Sequence, residues 1–165
     1  SGGGSSGGGS TAPTPTGGGW SAAKGQDAVN RAEHYLGWMY AWAGGNAGGP
    51  TYGVCTGGGA ENDCHVLGFD CSGLTLYAWA PYLSLPHFSV TQYYAAGSYH
   101  PDVGSLMPGD LVFWSSDGSL GAVHHVAMYV GGGNVIQAPQ SGDVIQITPL
   151  GSVSYGYYGA TRPLT

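Results

Sequence analysis

Residues 69–81 read Phe69-Asp70-Cys71-Ser72-Gly73-Leu74-Thr75-Leu76-Tyr77-Ala78-Trp79-Ala80-Pro81. A short polar residue, an apolar run of helical length and a closing proline predict a helix over residues 71–80, with Asp70 as its N-cap. Cys71 then opens the helix. Unpaired backbone N–H groups and the helix dipole favour a thiolate there over a thiol. The same N–H groups can receive the oxyanion of an attacked carbonyl. The plain alternative is a buried cysteine acting as a small hydrophobe.

Upstream of this stretch, Ala28, Ala32, Tyr35, Leu36 and Met39 recur at the spacing of one helical face and predict a helix over residues 25–40. Residues 40–68 are rich in glycine and turn formers and read as a long loop. Downstream, a short helix is expected over residues 90–96. After Pro108 the pattern becomes β-rich with period two, predicting strands over residues 110–114, 123–130, 134–138 and 143–148 and a last one ending near Thr161. Gly131-Gly132-Gly133 reads as a hairpin turn. Helices first and an antiparallel sheet second is an α+β layout.

The 165 residues carry three Lys or Arg against nine Asp or Glu, a net charge of −6. So few cations cannot assemble a phosphate-neutralising surface, which excludes nucleic acid and disfavours anionic membranes. Nine of the 33 glycines fall in residues 1–19, a Gly, Ser, Thr, Ala and Pro segment that reads as a tether, leaving residues 20–165 as the folded domain. The chain does not begin with Met, so it is expected to be part of something longer that carries any export signal. The richest apolar run, residues 74–83, is interrupted by Thr75 and Pro81 and falls short of the ~20 residues that span a bilayer.

Three cysteines leave one unpaired. Cys55 and Cys64 share a loop and can pair in an oxidising compartment, which leaves Cys71 as the free thiol. With His65 they lack the close cysteine spacing of a structural zinc site, so neither metal nor cofactor is expected. A thiol nucleophile needs a base, and His125, on the strand of residues 123–130, is the candidate. Gln137 sits on the neighbouring strand, where its amide oxygen can accept the imidazole Nδ1–H and fix the tautomer. Strand alternation sends the rival His124 to the opposite face.

Together, residues 40–45 (YAWAGG), 69–74 (FDCSGL), 108–113 (PGDLVF), 125–131 (HVAMYVG), 135–139 (VIQAP) and 159–162 (GATR) resemble, in order, the motifs of the NlpC/p60 family of papain-like cysteine peptidases that cut bacterial cell-wall peptides. The resemblance covers essentially all of residues 20–165. It implies N-terminal helices packed on a five- to six-stranded antiparallel sheet, with Cys71 as nucleophile, His125 as general base and Gln137 in a third position more often held by His. Tyr40 matches the family's active-site tyrosine, and Asp70 and Ser72 flank the nucleophile where the family lines its peptide cleft. Core packing for Tyr40 and helix capping for Asp70 and Ser72 are the structural alternatives. The loop between Gly45 and Phe69 is longer than the family's and is expected to form one wall of the cleft. With so few cations, recognition of stem-peptide carboxylates is expected to rest on backbone groups and aromatic rings.

The activity so implied is hydrolysis of an amide in the peptidoglycan stem peptide, by analogy the D-γ-glutamyl–diamino acid bond, by a secreted or wall-associated monomer without cofactor. Two other readings are open. One is a secreted effector or toxin domain of the same fold, acting as amidase or acyltransferase and countered by an immunity protein. The other is a catalytically inactive wall-binding module.

Overall fold

A computed structural model describes residues 18–165. All but the last two residues of the expected tether lie outside the described residues. Helix α1 (Ala22–Glu33) opens at Ser21, whose side chain accepts the Lys24 N–H at 3.1 Å, and buries Ala28, Val29 and Ala32. It ends well short of the expected residue 40. Gly37 takes φ 86°, and the following backbone turns away to bond with a distant segment. Gly37 N–H donates to Ile145 O at 2.9 Å, Ile145 N–H to Trp38 O at 2.8 Å, and Tyr40 N–H to Asp143 O at 2.9 Å. Leu36 and Met39, which the helical period assigns to the buried face, are therefore exposed.

The long loop carries a two-stranded antiparallel ladder, β1 (Thr51–Tyr52) with β2 (Leu67–Gly68). Helices α2 (Cys71–Trp79) and α3 (Ser89–Ala95) follow within a residue or two of expectation. Five strands form one antiparallel sheet in the order β6-β5-β4-β3-β7: β3 (Leu111–Ser115), β4 (Val123–Gly131), β5 (Asn134–Gln137), β6 (Gln146–Pro149) and β7 (Tyr157–Thr161). The β4–β5 hairpin turns through Gly131, Gly132 and Gly133, all at positive φ, where a side chain would be strained. Residues 143–145 pair with 37–40 rather than joining β6, which is why that strand starts later than expected.

Both faces of the sheet are covered. Leu111, Phe113, Val126 and Met128 pack with Ala28, Leu74, Ala78 and Trp79 on the helical side. Val112, Trp114, Ala127, Val135 and Ala160 form a second cluster under Leu106, Leu150, Val153 and Tyr157. A strand buried on both faces reads as a continuous apolar run, as Leu111-Val112-Phe113-Trp114 does. Full burial of each such side chain contributes about 1.5–3 kcal/mol.

The motif residues Asp110, buried, and Arg162, half-buried, form an ion pair. Arg162 Nε donates to Oδ1 at 2.9 Å and its terminal amine to Oδ2 at 2.8 Å, tying the turn before β3 to the end of β7. Among the described residues no helix is long and apolar enough to cross a membrane.

Candidate active site

Cys71 is the first residue of α2, and its position is set by Asp70. The Asp70 Oδ1 accepts the Gly73 N–H at 2.7 Å, and the Asp70 carbonyl accepts the Leu74 N–H, so the N–H groups of Cys71 and Ser72 are left for other partners. Gly73 permits this close packing, because a Cβ there would run into the Gly44 carbonyl and lie 3.1 Å from His87 Nε2. The segment before β1 is clamped alongside by Ala41 N–H to Phe69 O and Asp70 N–H to Gly44 O, both 3.0 Å.

Burial first, and then the Asp70 carboxylate, push the Cys71 thiol up to about 12, although backbone groups of Val126, Ser72 and Cys71 itself favour the thiolate. This direction runs against the helix-start preference for a thiolate. Helix-start donors are present, but desolvation and a like charge outweigh them. The group at rest is a thiol, and forming the thiolate would take a base to accept its proton.

His125 is buried, lies in β4 beside the ring of Trp114 at 5.6 Å between centroids, and has Gln137 as partner. The bond runs from His125 Nε2 to Gln137 Oε1 at 2.8 Å, not from Nδ1 as expected. It requires the proton on Nε2 and leaves Nδ1 as the basic nitrogen. The Gln137 amide is itself oriented by donating to Thr148 Oγ1 at 3.0 Å. Burial, with a smaller effect from His124, holds the His125 pKa below 6.5 against the opposing bond to Gln137, so the imidazole is neutral and able to accept a proton.

A cleft of about 430 Å³ gathers Tyr40, Asp70, Cys71 and Ser72 with His125 on its walls. Gln137 is absent from this lining and faces a second, polar cleft of about 470 Å³ with Gln140, Asp143 and Thr148. His125 borders both clefts, and so does His124. The register of β3 on β4 slips between Trp114–His125 and Ser115–Val123, and this bulge turns both histidines to the clefts where strict alternation would separate them. Tyr40 is buried, and burial followed by the proximity of Cys71 and Asp70 raises its pKa, keeping the hydroxyl protonated. Ser72 is buried with its Oγ 3.4 Å from Asp70 Oδ1.

Cys55 and Cys64 are joined in a disulfide and Cys71 is free. Their loop does not line the cleft as expected; it supports Trp42, which does. Gly57, Gly58 and Gly59 lie against the Trp42 side chain, and buried Asp63 accepts the Trp42 N–H at 2.9 Å and the Ser141 hydroxyl at 2.7 Å. Among the described residues no cluster of three or more His, Cys, Asp or Glu side chains is placed to hold a metal ion.

Two residues absent from the sequence reading belong to the site. His87 lines the cleft with its Nε2 2.7 Å from Asp70 Oδ1. Gln92, fully buried in α3, accepts the Thr75 hydroxyl at 2.6 Å and donates to Ser72 O and Pro86 O at 2.9 Å, locking α2 to the loop that carries His87. Neither lies on an element whose periodicity marks it.

Helices packed on an antiparallel sheet, with a cysteine at a helix N-terminus and a sheet histidine lining one cleft, place the domain in the papain-like α+β class. The chain belongs to the NlpC/P60 family, whose profile matches residues 37–160. It is 38% identical over 146 residues to the peptidoglycan endopeptidase RipA of Mycolicibacterium smegmatis, covering 84% of this chain and 27% of the relative. It is 35% identical over 141 residues to a gamma-D-glutamyl-L-lysine dipeptidyl-peptidase of Bacillus cereus, covering 84% of this chain and 36% of the relative. The chain thus spans about a third or less of the length of these curated relatives. Among solved structures, RipD of Mycobacterium tuberculosis, described as a non-catalytic NlpC/p60 domain protein adapted to peptidoglycan binding, matches with TM-score 0.68 and 30% identity over 84% of this chain and 96% of its own.

Proposed function

We propose that this domain hydrolyses an amide in the peptidoglycan stem peptide, the bond between D-γ-glutamate and the diamino acid, with Cys71 as nucleophile, His125 as base and Gln137 as its orienter. The observation that carries the reading is the His125–Gln137 bond behind a cleft that Cys71 and His125 share. The relatives named as endopeptidases, one of them a gamma-D-glutamyl-L-lysine dipeptidyl-peptidase, support the choice of bond. The disulfide supports action in an oxidising compartment, outside the membrane at the wall.

In this mechanism His125 Nδ1 takes the thiol proton as Cys71 Sγ attacks the carbonyl carbon. The N–H groups of Cys71 and Ser72, at the open start of α2, receive the oxyanion. On collapse the C–N bond breaks, His125 returns its proton to the leaving amine, and a thioester remains on Cys71. Water attacks the thioester with His125 as base, releasing the carboxylate and restoring the thiol.

RipD is described as non-catalytic, so binding without cleavage is a real option within the family. The presence here of both the thiol and a neutral, oriented imidazole supports cleavage. Digestion of purified peptidoglycan with the wild type, Cys71→Ala and His125→Ala, followed by mass spectrometry of the soluble fragments, tests the reading. Stem-peptide fragments released by the wild type alone are the expected result, and their masses identify the bond. Co-sedimentation of wild type with peptidoglycan and no release of fragments would instead favour a binding module.

A further inference from the structure

The chain has three basic side chains, and all are engaged away from the cleft. Lys24 Nζ donates to Gly19 O at 2.7 Å, Arg31 to Tyr77 O at 2.9 Å, and Arg162 to Asp110. The Asp70 carboxylate is therefore the fixed charge beside the nucleophile, and it opposes ionisation of the thiol. What meets it is His87. Its Nε2 lies 2.7 Å from the same Oδ1 that caps α2, and Gln92 bonds the neighbouring Pro86 carbonyl to hold the loop in place.

We propose that His87 is a positioning residue for the nucleophile: its imidazolium holds and neutralises the Asp70 carboxylate beside Cys71, so that the reactivity of the thiol follows the protonation of His87. Its consequence for hydrolysis rests on the role of Cys71 proposed above; its effect on the thiol does not.

The titratable groups lining the cleft with His87 are Tyr40, Asp70 at the cap of α2, Cys71 of α2, and His124 and His125 of β4, while α3 offers the neutral Ser89 and Gln92. The bond to Asp70 holds the His87 pKa above 6.5 against partial burial, whereas burial holds that of His125 below 6.5. Between the two lies an interval in which His87 is charged and His125 is a free base. At lower pH the base is protonated. At higher pH Asp70 is uncompensated, and a charge within about 4–6 Å shifts a neighbouring pKa by about one unit or more, roughly tenfold in thiolate.

The test is the rate of Cys71 alkylation by iodoacetamide from pH 5 to 9 in the full chain with the disulfide intact, for wild type, His87→Arg and His87→Gln. Both variants are expected to follow parallel lines separated by about tenfold, with Arg the faster. The wild type is expected to follow the Arg line at low pH and cross to the Gln line as His87 deprotonates. Hydrolysis of stem peptide should show the matching alkaline loss in wild type and not in His87→Arg. If His87→Gln is misfolded by circular dichroism, the divergence of wild type from His87→Arg carries the same information. A wild-type line coinciding with both variants, or parallel to His87→Arg at every pH, overturns the proposal. Absence of hydrolysis in every variant would count against the peptidase reading alone, because alkylation is read without substrate.

Discussion

Replacing Gln137 with leucine removes the acceptor behind His125 while nearly preserving volume. In the resting site the 2.8 Å bond joins a neutral imidazole to a neutral amide and is worth about 1 kcal/mol. Once His125 holds the proton of Cys71 the donor is a cation, and such bonds are worth about 1.5–3 kcal/mol. The difference, about 0.5–2 kcal/mol, is stabilisation that exists only after proton transfer. It corresponds to roughly 2–30-fold in kcat, with KM little changed because Gln137 lies outside the cleft that holds Cys71. Steady-state hydrolysis of a γ-D-glutamyl–diamino acid stem peptide, followed by chromatography, is the assay. Unchanged kcat would refute the orienting role. A loss as complete as that of Cys71→Ala would refute the arithmetic, since orientation of a base that is still present cannot account for it.

Arg162→Ala leaves the buried Asp110 carboxylate with the Met107 N–H as its remaining partner, an effect of up to about 3–5 kcal/mol. Calorimetry should show Tm lowered by roughly 6–20 °C, and a drop of under about 3 °C would mean that water reaches Asp110. Because His125 is buried with its pKa held below 6.5, it favours the folded state above pH 6.5, and that contribution is lost as pH falls from 6.5 towards its folded value. Urea unfolding at pH 7.5 and 5.5 should show the wild type losing more stability on acidification than His125→Gln. Equal losses would show that the imidazole is protonated as readily in the fold as out of it.

Helix α2 was legible because its signals are local: Asp70 caps it, the apolar run follows, and Pro81 closes it. The β4–β5 hairpin was legible for the same reason, since three glycines admit the turn's positive φ. The end of α1 was not, because Leu36 and Met39 satisfy the helical period and what defeats it is a backbone partner at residues 143–145, a hundred residues on. Sequence order placed His125 and Gln137 on adjacent strands, but which ring nitrogen meets the amide depends on the bulge and on Thr148, neither of which has a local mark. The balance at Cys71 was only half legible, because a helix start can be seen in sequence while desolvation by packed neighbours cannot. His87 stands in a loop between Pro86 and Phe88, and its partnership with Asp70 exists only once α2 and α3 are docked through Gln92.

The neutral Gln137 and the acid beside Cys71 make sense together. Asp70 caps α2 and cannot be removed without releasing the Gly73 N–H, so the cleft carries a negative charge whatever else it holds. A second carboxylate, at position 137, would stabilise imidazolium at rest and draw the His125 pKa upward, out of the range in which it can accept the Cys71 proton near neutral pH. Glutamine supplies the acceptor that fixes the Nε2–H tautomer without that charge. With every Lys and Arg engaged elsewhere, compensation of Asp70 falls to a histidine, so the electrostatic balance of the cleft is tied to pH. The Asp70–His87 contact is short but His87 is exposed, so added salt should weaken this compensation as it weakens other surface pairs.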